Sequence, residues 1–194
     1  MTHTMKGRLA MSTGRRLLAL APFLLLCTPL ALQAQRPDAG GPDQAAFLRA
    51  VAEHFGTPQQ EVAVLAQWKL DMGEIPVVLF VADRAGVSPD LVISQRRRGE
   101  GWMAIARGYS VPAGDFHIPI DGDRGVLAGA YERFAARAAS EWHEVTLSDA
   151  EVVALVNVRF LSRQLGLPTV RVVGELGGSE GMVAVFVRLR GGGP

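Results

Sequence analysis

The feature that most constrains the fold is a helix that stops at a glycine and restarts a few residues later. The best-preserved copy spans residues 82–105, ADRAGVSPDLVISQRRRGEGWMAI, where Gly86 ends one predicted helix and Ser88-Pro89 starts the next. Gly166 repeats this unit at an offset of 80 residues, and Gly56 repeats it at an offset of 30. Recurrence at fixed offsets is typical of repeat architectures.

Apolar residues also coincide when the copies are aligned. The offset of 80 pairs Val87 with Leu167, Val92 with Val172, Ile93 with Val173, Trp102 with Met182 and Ile105 with Val185. The offset of 30 pairs Val62 with Val92 and Ile75 with Ile105. We therefore predict an all-α fold, a repeat-like array of short helix pairs with glycine turns; the alternative is chance similarity among helix hairpins.

Two valine-rich segments could also form strands. We expect PVVLFVA, residues 76–82, to be helical rather than a buried strand, because its flanks match helix ends and no partner strand is visible. Residues 169–190 have valine-rich halves around Gly177-Gly178, which is typical of a β-hairpin. The repeat alignment makes them two short helices instead. We predict the helices and keep the β-hairpin as the alternative.

The middle of the chain mixes a loop with clear helix signals. Residues 109–123 carry Pro, Gly and Asp at turn spacing and read as an irregular loop. An apolar stripe predicts a helix over residues 124–140. Ser148 and Glu151 have the spacing of a capping box, so the next helix starts there and runs to Gly166.

The N-terminus predicts export. Basic residues precede an apolar run from Leu17 to Leu32, which ends in the small-residue site Leu-Gln-Ala34, as in a secretory signal peptide. An uncleaved anchor is the alternative. We expect residues 1–34 to be the signal peptide, 35–43 a disordered linker, 44–190 a single helical domain and 191–194 a tail. The mature protein would be periplasmic or secreted.

Cleavage after Ala34 changes the charge and the redox chemistry of the chain. The precursor has 20 basic and 19 acidic residues, and the mature chain would keep 16 basic and 19 acidic ones, a net charge of −3 with neutral histidines. The one cysteine, Cys27, would also leave. A cysteine-free chain has neither disulfides nor thiolate chemistry, so packing alone must hold the domain together.

The central stretch also resembles a helix-turn-helix DNA-binding motif. In that interpretation Gly86 allows the turn, and four arginines would contact phosphates: Arg96, Arg97, Arg98 and Arg107. Predicted export, negative mature charge and Asp90 on the second helix argue against nucleic acid. We therefore interpret the four arginines as a solvated surface that could contact a polar partner.

Signals for catalysis are weak. The sequence has no GxSxG, and HEVTL after Trp142 is not a HExxH motif. Asp115 and His117 in the 109–124 loop are the candidates for an enzyme with a dispersed site. No cofactor or metal site is predicted. Trp68, Trp102 and Trp142 lie among apolar residues, where large aromatics more often form core than a binding groove.

The phrases IPVVLFVADRAGVSPDLVISQRRRGEGWMAIA and LSDAEVVALVNVRFLSRQLGLP resemble an uncharacterised group of exported bacterial helical proteins, in which GVSPDVV…RRRGxxW-type units recur. The resemblance covers most of residues 47–189 and implies no activity, ligand or site residue. It weakens at Gly177-Gly178 and the valine-rich ending. We expect a non-enzymatic scaffold or interaction protein that binds a protein or envelope component; the alternatives are nucleic-acid binding and the loop enzyme.

Overall fold

A computed structural model describes residues 41–178 and 180–192, and this part of the chain is all-α without a β-strand. The predicted signal peptide and most of the predicted linker lie outside the described residues. Within them, no helix is both long and apolar enough to cross a membrane.

The predicted helices form, joined by turns and short 3₁₀ segments. The α-helices are α1 (Pro42–Phe55), α2 (Gln59–Ala66), α3 (Glu74–Ala85), α4 (Pro89–Arg97), α5 (Trp102–Gly108), α6 (Ala128–Ala135), α7 (Asp149–Leu165), α8 (Thr169–Glu175) and α9 (Met182–Gly191). The 3₁₀ segments are Ala113–Phe116, Gly125–Leu127 and Ala139–Glu144. Helix α1 begins inside the segment whose composition predicts a linker.

Helices α3 and α7 form the centre of the core and pack against each other. Every residue of α3 from Ile75 to Ala82 is buried, which explains its strand-like composition: a helix surrounded on all sides is apolar all round. Asn157 of α7 is fully buried and donates hydrogen bonds to the carbonyls of Gly73 and Val153, both at 2.8 Å. This amide therefore fixes the start of α3 against α7.

Three glycines end helices in the same way. Gly56, Gly86 and Gly166 adopt left-handed φ values of 63°, 65° and 66° at the ends of α1, α3 and α7. The next amide in each case donates to the carbonyl five residues earlier, at 3.0 Å: Thr57 to Ala52, Val87 to Ala82 and Leu167 to Ser162. This hydrogen bond is characteristic of a Schellman motif, and a new helix starts two residues later.

The β-hairpin alternative for residues 169–190 is wrong, because α8 and α9 occupy this segment. The buried residues explain the outcome. Val172 and Val173 are buried in α8, and Val185, Phe186 and Leu189 are buried in α9. The α9 spacing places its three residues on one face of a helix, whereas strand alternation would separate neighbours onto opposite faces.

The helix predicted over residues 124–140 is shorter than expected. It consists of the 3₁₀ turn Gly125–Leu127 followed by α6, and the chain is extended at Ala138 before a further 3₁₀ segment. The indole Nε1 of Trp142 donates to the Phe134 carbonyl at 3.0 Å. A side chain thus takes the place of the backbone amide that a longer helix would supply.

Candidate functional site

The structure separates the four predicted arginines. Arg96 is partly buried within an ion-pair cluster, whereas Arg97 and Arg98 are exposed at the end of α4. Arg98 contacts Glu100 at 3.4 Å, and Arg107 donates from Nη2 to the Val145 carbonyl at 3.0 Å. Only Arg97 and Arg98 therefore lie on an open surface near each other.

Arg96 connects three helices. Its Nε and Nη2 donate to Glu74 Oε1 at 2.8 and 2.5 Å, and its Nη1 donates to Asp149 Oδ2 at 2.5 Å. Its guanidinium lies 4.9 Å from the centre of the Trp102 ring. Burial lowers the pKa of Arg96, but hydrogen bonds to Glu74 and Asp149 outweigh burial and raise it. This arginine joins α4 to α3 and α7, and both of its ion-pair partners belong to those two helices.

Trp102 completes this cluster from α5. It is fully buried, its backbone amide donates to Asp149 Oδ1 at 2.7 Å, and its indole Nε1 donates to Glu74 Oε1 at 3.1 Å. The two carboxylates thus satisfy both the guanidinium and the indole. Trp102 is a core residue, as predicted for tryptophans among apolar neighbours.

Trp68 does not follow that prediction, because 38% of its surface is exposed. It follows α2, and the guanidinium of Arg97 lies 4.7 Å from its ring centre. The Arg97 guanidinium and the Trp68 indole thus form a cation–π pair that is open to solvent. Tryptophan and arginine are also the residues most enriched among the energetic centres of protein interfaces.

Two open depressions lie between α2 and α4, and together we call them the α2–α4 groove. The first, of about 430 Å³, is lined by Thr57, Gln60, Glu61, Val64, Leu65, Ser88, Pro89 and Asp90. The second, of about 670 Å³, is lined by Gln67, Trp68, Lys69, Leu70, Glu74, Arg96, Arg97 and Gly99. The first meets the N-terminal ends of both helices and the second their C-terminal ends, so α2 and α4 run side by side in the same direction.

The unpaired charges of the groove are separated by sign. Glu61 and Asp90 lie at the N-terminal end, and Lys69 and Arg97 lie at the C-terminal end. None of these four side chains forms an ion pair with another described residue. The apolar lining of the first depression is Val64, 49% exposed to solvent, and the buried Leu65. Along α2, the exposed Val64 therefore lies between the acidic end of the groove and its basic end.

The chain bends sharply at the basic end of the groove. Lys69 has a left-handed φ of 58°, a conformation that a residue with a side chain adopts at a cost. The turn carries the chain from α2 towards α3 and places Trp68, Lys69 and Leu70 together on the groove wall. The surrounding fold thus holds a strained turn at the position where the aromatic and cationic groups meet.

The structure places the loop candidates Asp115 and His117 against Arg159 of α7. The described side-chain hydrogen bonds include none between them, and Arg159 instead donates to both of their backbone carbonyls, at 2.8 and 2.9 Å. The His117 ring packs 4.3 Å from the Trp142 ring centre and 5.0 Å from that of Phe134. Burial, with Arg159 and Arg124, lowers the pKa of His117. The geometry is that of a packed aromatic cluster.

Arg159 holds this loop on α7 at an electrostatic cost. Burial, together with Arg84 and Arg163, lowers its pKa to about 10, so the guanidinium stays charged at neutral pH. Its Nη1 is buried without a hydrogen-bond partner among the described residues, and its guanidinium lies 4.8 Å from the Phe80 ring centre. Within the same residues, no three side chains of the metal-ligating types come together.

The sequence analysis did not identify the two carboxylates that form ion pairs with Arg96. Glu74 and Asp149 lie 22 and 53 residues from Arg96 in the chain, and they read only as first-turn acids of their helices. A sharper signal existed for Trp68. Its spacing continues that of Val62 and Leu65 on one predicted helix face, but α2 ends at Ala66, before Trp68, and the next residue is the charged Lys69.

Comparisons with known proteins give no relative for this chain: no family model matches it, no curated protein matches it, and no solved structure matches it.

Proposed function

We propose that the protein is an exported, non-enzymatic helical interaction protein and that the α2–α4 groove binds a polypeptide segment of a partner protein. One observation carries the proposal: Trp68 is 38% exposed, with Arg97 stacked 4.7 Å from its ring centre, on the wall of an open groove. Export rests on the predicted signal peptide of residues 1–34.

The proposal includes a repeat architecture. The three copies are α1–α2–α3, α3–α4–α5 and α7–α8–α9, each with a left-handed glycine at its first junction. In this scheme α2 and α4 are equivalent helices of adjacent copies, which accounts for their common direction. Arrays of this kind bind partners on the continuous surface formed by equivalent elements. The α2–α4 groove is such a surface.

The composition of the groove also supports a polypeptide ligand. Its apolar residues Val64 and Leu65 lie along α2 between charged ends, which matches the apolar centre and polar rim of protein interfaces. An enclosed site for a small molecule would bury most of its ligand. Both depressions are open, so they fit one side of a polypeptide segment better than they would enclose a small molecule.

A photo-crosslinking amino acid tests the proposal in cells that export the protein. Val64 and Val126 are matched positions, because their side chains are 49% and 50% exposed and only Val64 lies in the groove. The crosslinker at position 64 should give a discrete protein adduct, and the same group at position 126 should not. Equal adducts at both positions, or an adduct only at position 126, would contradict the proposal.

A further inference from the structure

The charge pattern of the groove restricts what can lie in it. Glu61 and Asp90 mark one end, Lys69 and Arg97 mark the other, and along α4 about two turns separate Asp90 from Arg97, a distance of roughly 10 Å. A ligand that runs along the groove therefore meets negative charge first and positive charge last, or the reverse. Its own charges must be arranged in the complementary order.

The conformation of the ligand follows from the architecture around the groove. A partner strand binds by extending an exposed sheet edge, and the described residues contain no strand that could provide one. The mode that fits a groove between two parallel helices is a third helix laid between them, with apolar residues three and four apart facing the groove. Val64 and Leu65 are the apolar groove residues that they would meet.

Helix electrostatics then sets the direction. Helices favour acidic residues in their first turn and basic residues in their last, because these charges complement the helix dipole. A helix antiparallel to α2 and α4 places its acidic first turn at Lys69 and Arg97, and its basic last turn at Glu61 and Asp90. A parallel helix with the same charges would place like charges together at both ends.

We infer that the groove binds an amphipathic helix of a partner protein, of about two to three turns, antiparallel to α2 and α4, with its acidic first turn against Lys69 and Arg97. This inference rests on the proposed function and specifies its ligand. The carboxylates of the first turn meet the two cations, and an apolar side chain of the next turn packs on the Trp68 indole.

A displayed library of amphipathic helical peptides of about 12 residues tests the inference. The first and last turns are randomised between glutamate and lysine, and the apolar face is randomised among apolar residues. Selection on the wild-type protein should enrich peptides with an acidic first turn and a basic last turn about tenfold over the reverse order. High salt during binding should reduce this preference, because exposed charges are screened.

Charge reversal in the protein provides the decisive comparison. The double variant Lys69→Glu/Arg97→Glu makes both ends of the groove acidic and should enrich peptides that are basic in both turns. Glu61→Lys/Asp90→Lys makes both ends basic and should enrich peptides that are acidic in both turns. Arg163→Glu is the control, because Arg163 is exposed on α7 and does not line the groove. It should select as the wild type does. Circular dichroism verifies that each variant keeps its helix content.

The inference would be overturned by enrichment of the reverse order, by no charge preference, or by the same preference in wild type and the Lys69→Glu/Arg97→Glu variant. An absence of any enriched peptide would also overturn it. If position 64 still forms its discrete adduct in cells, the proposed function survives without the helix. If the adduct is missing as well, both fail.

Discussion

The indole Nε1 of Trp102 and the guanidinium of Arg96 donate to the same oxygen, Oε1 of Glu74, at 3.1 Å and at 2.5–2.8 Å. The arginine run of α4 thus begins with a side chain that belongs to the interior and continues with one, Arg97, that belongs to the groove. Arg96 therefore stabilises the packing of three helices, whereas its neighbour Arg97 lies on the groove surface.

Replacing Trp102 tests its role as a core residue. Trp102 is fully buried, so Trp102→Ala should lower the free energy of unfolding by about 3–5 kcal/mol, measured by urea denaturation. Trp68→Ala is the comparison, because Trp68 is 38% exposed, and its loss should be about 1 kcal/mol or less. Similar losses in the two variants would show that Trp102 is not the buried anchor described here.

Arg96→Met should destabilise the protein by leaving Glu74 and Asp149 without their cation. We expect a loss of about 2 kcal/mol, less than for a fully buried pair, because the Arg96 side chain is 21% exposed. Arg98→Met should change stability by about 0.5 kcal/mol or less, since the Arg98 side chain is 63% exposed. If Arg96→Met has the same urea midpoint of unfolding as the wild type, the structural role of Arg96 is refuted.

Stability should fall as the pH drops below about 6.5. Burial lowers the pKa of His117 and of His54, so the unfolded chain takes up protons that the folded chain resists. Their neutral forms contribute full stability above about pH 6.5, and this is lost as the pH falls through the folded pKa values. His117→Phe should reduce the difference in urea midpoint between about pH 7.5 and pH 5.

His143→Phe is the control for that titration, because the His143 side chain is 63% exposed. It should keep the wild-type difference between the two pH values. If His117→Phe also keeps it, the packed histidine in the loop is not responsible for the pH dependence.

Gly86→Ala and Gly174→Ala should have opposite effects. A Cβ at either position meets no atom within 4 Å, but Gly86 has φ +65° and Gly174 lies within α8. Alanine at 86 should therefore cost about 1 kcal/mol from backbone strain, and alanine at 174 should stabilise by up to about 1 kcal/mol. Thermal unfolding distinguishes the two, and a stabilised Gly86→Ala variant would contradict the left-handed turn.

The sequence predicted local structure well because the decisive signals were local. Three glycine junctions, the Ser148–Glu151 capping box and the apolar spacing of α1 are each contained within a few residues, and the structure has all of them. Helix over residues 76–82 was also predicted correctly, against its strand-like composition. The C-terminal segment was harder, because valine favours strands and Gly177-Gly178 favour a turn, and only tertiary packing makes the segment helical.

The sequence did not reveal the surroundings of the candidate residues, because those surroundings depend on residues distant in the chain. Arg96 and Arg97 are adjacent in sequence, and only Glu74 and Asp149 determine that the first is buried in an ion pair. His117 is a loop residue in the sequence, and only the fold packs Trp142 and Phe134 against its ring. A local sequence pattern does not show which distant residues will contact a given side chain.

The most direct measurement of the central claim is the affinity of the protein for the partner identified at position 64, determined by isothermal titration calorimetry. Trp68→Ala should weaken that affinity tenfold or more, because exposed interface tryptophans carry a large share of binding energy, and it should leave the helix content unchanged. Unchanged affinity in a folded Trp68→Ala variant would contradict the assignment of the α2–α4 groove as the binding site.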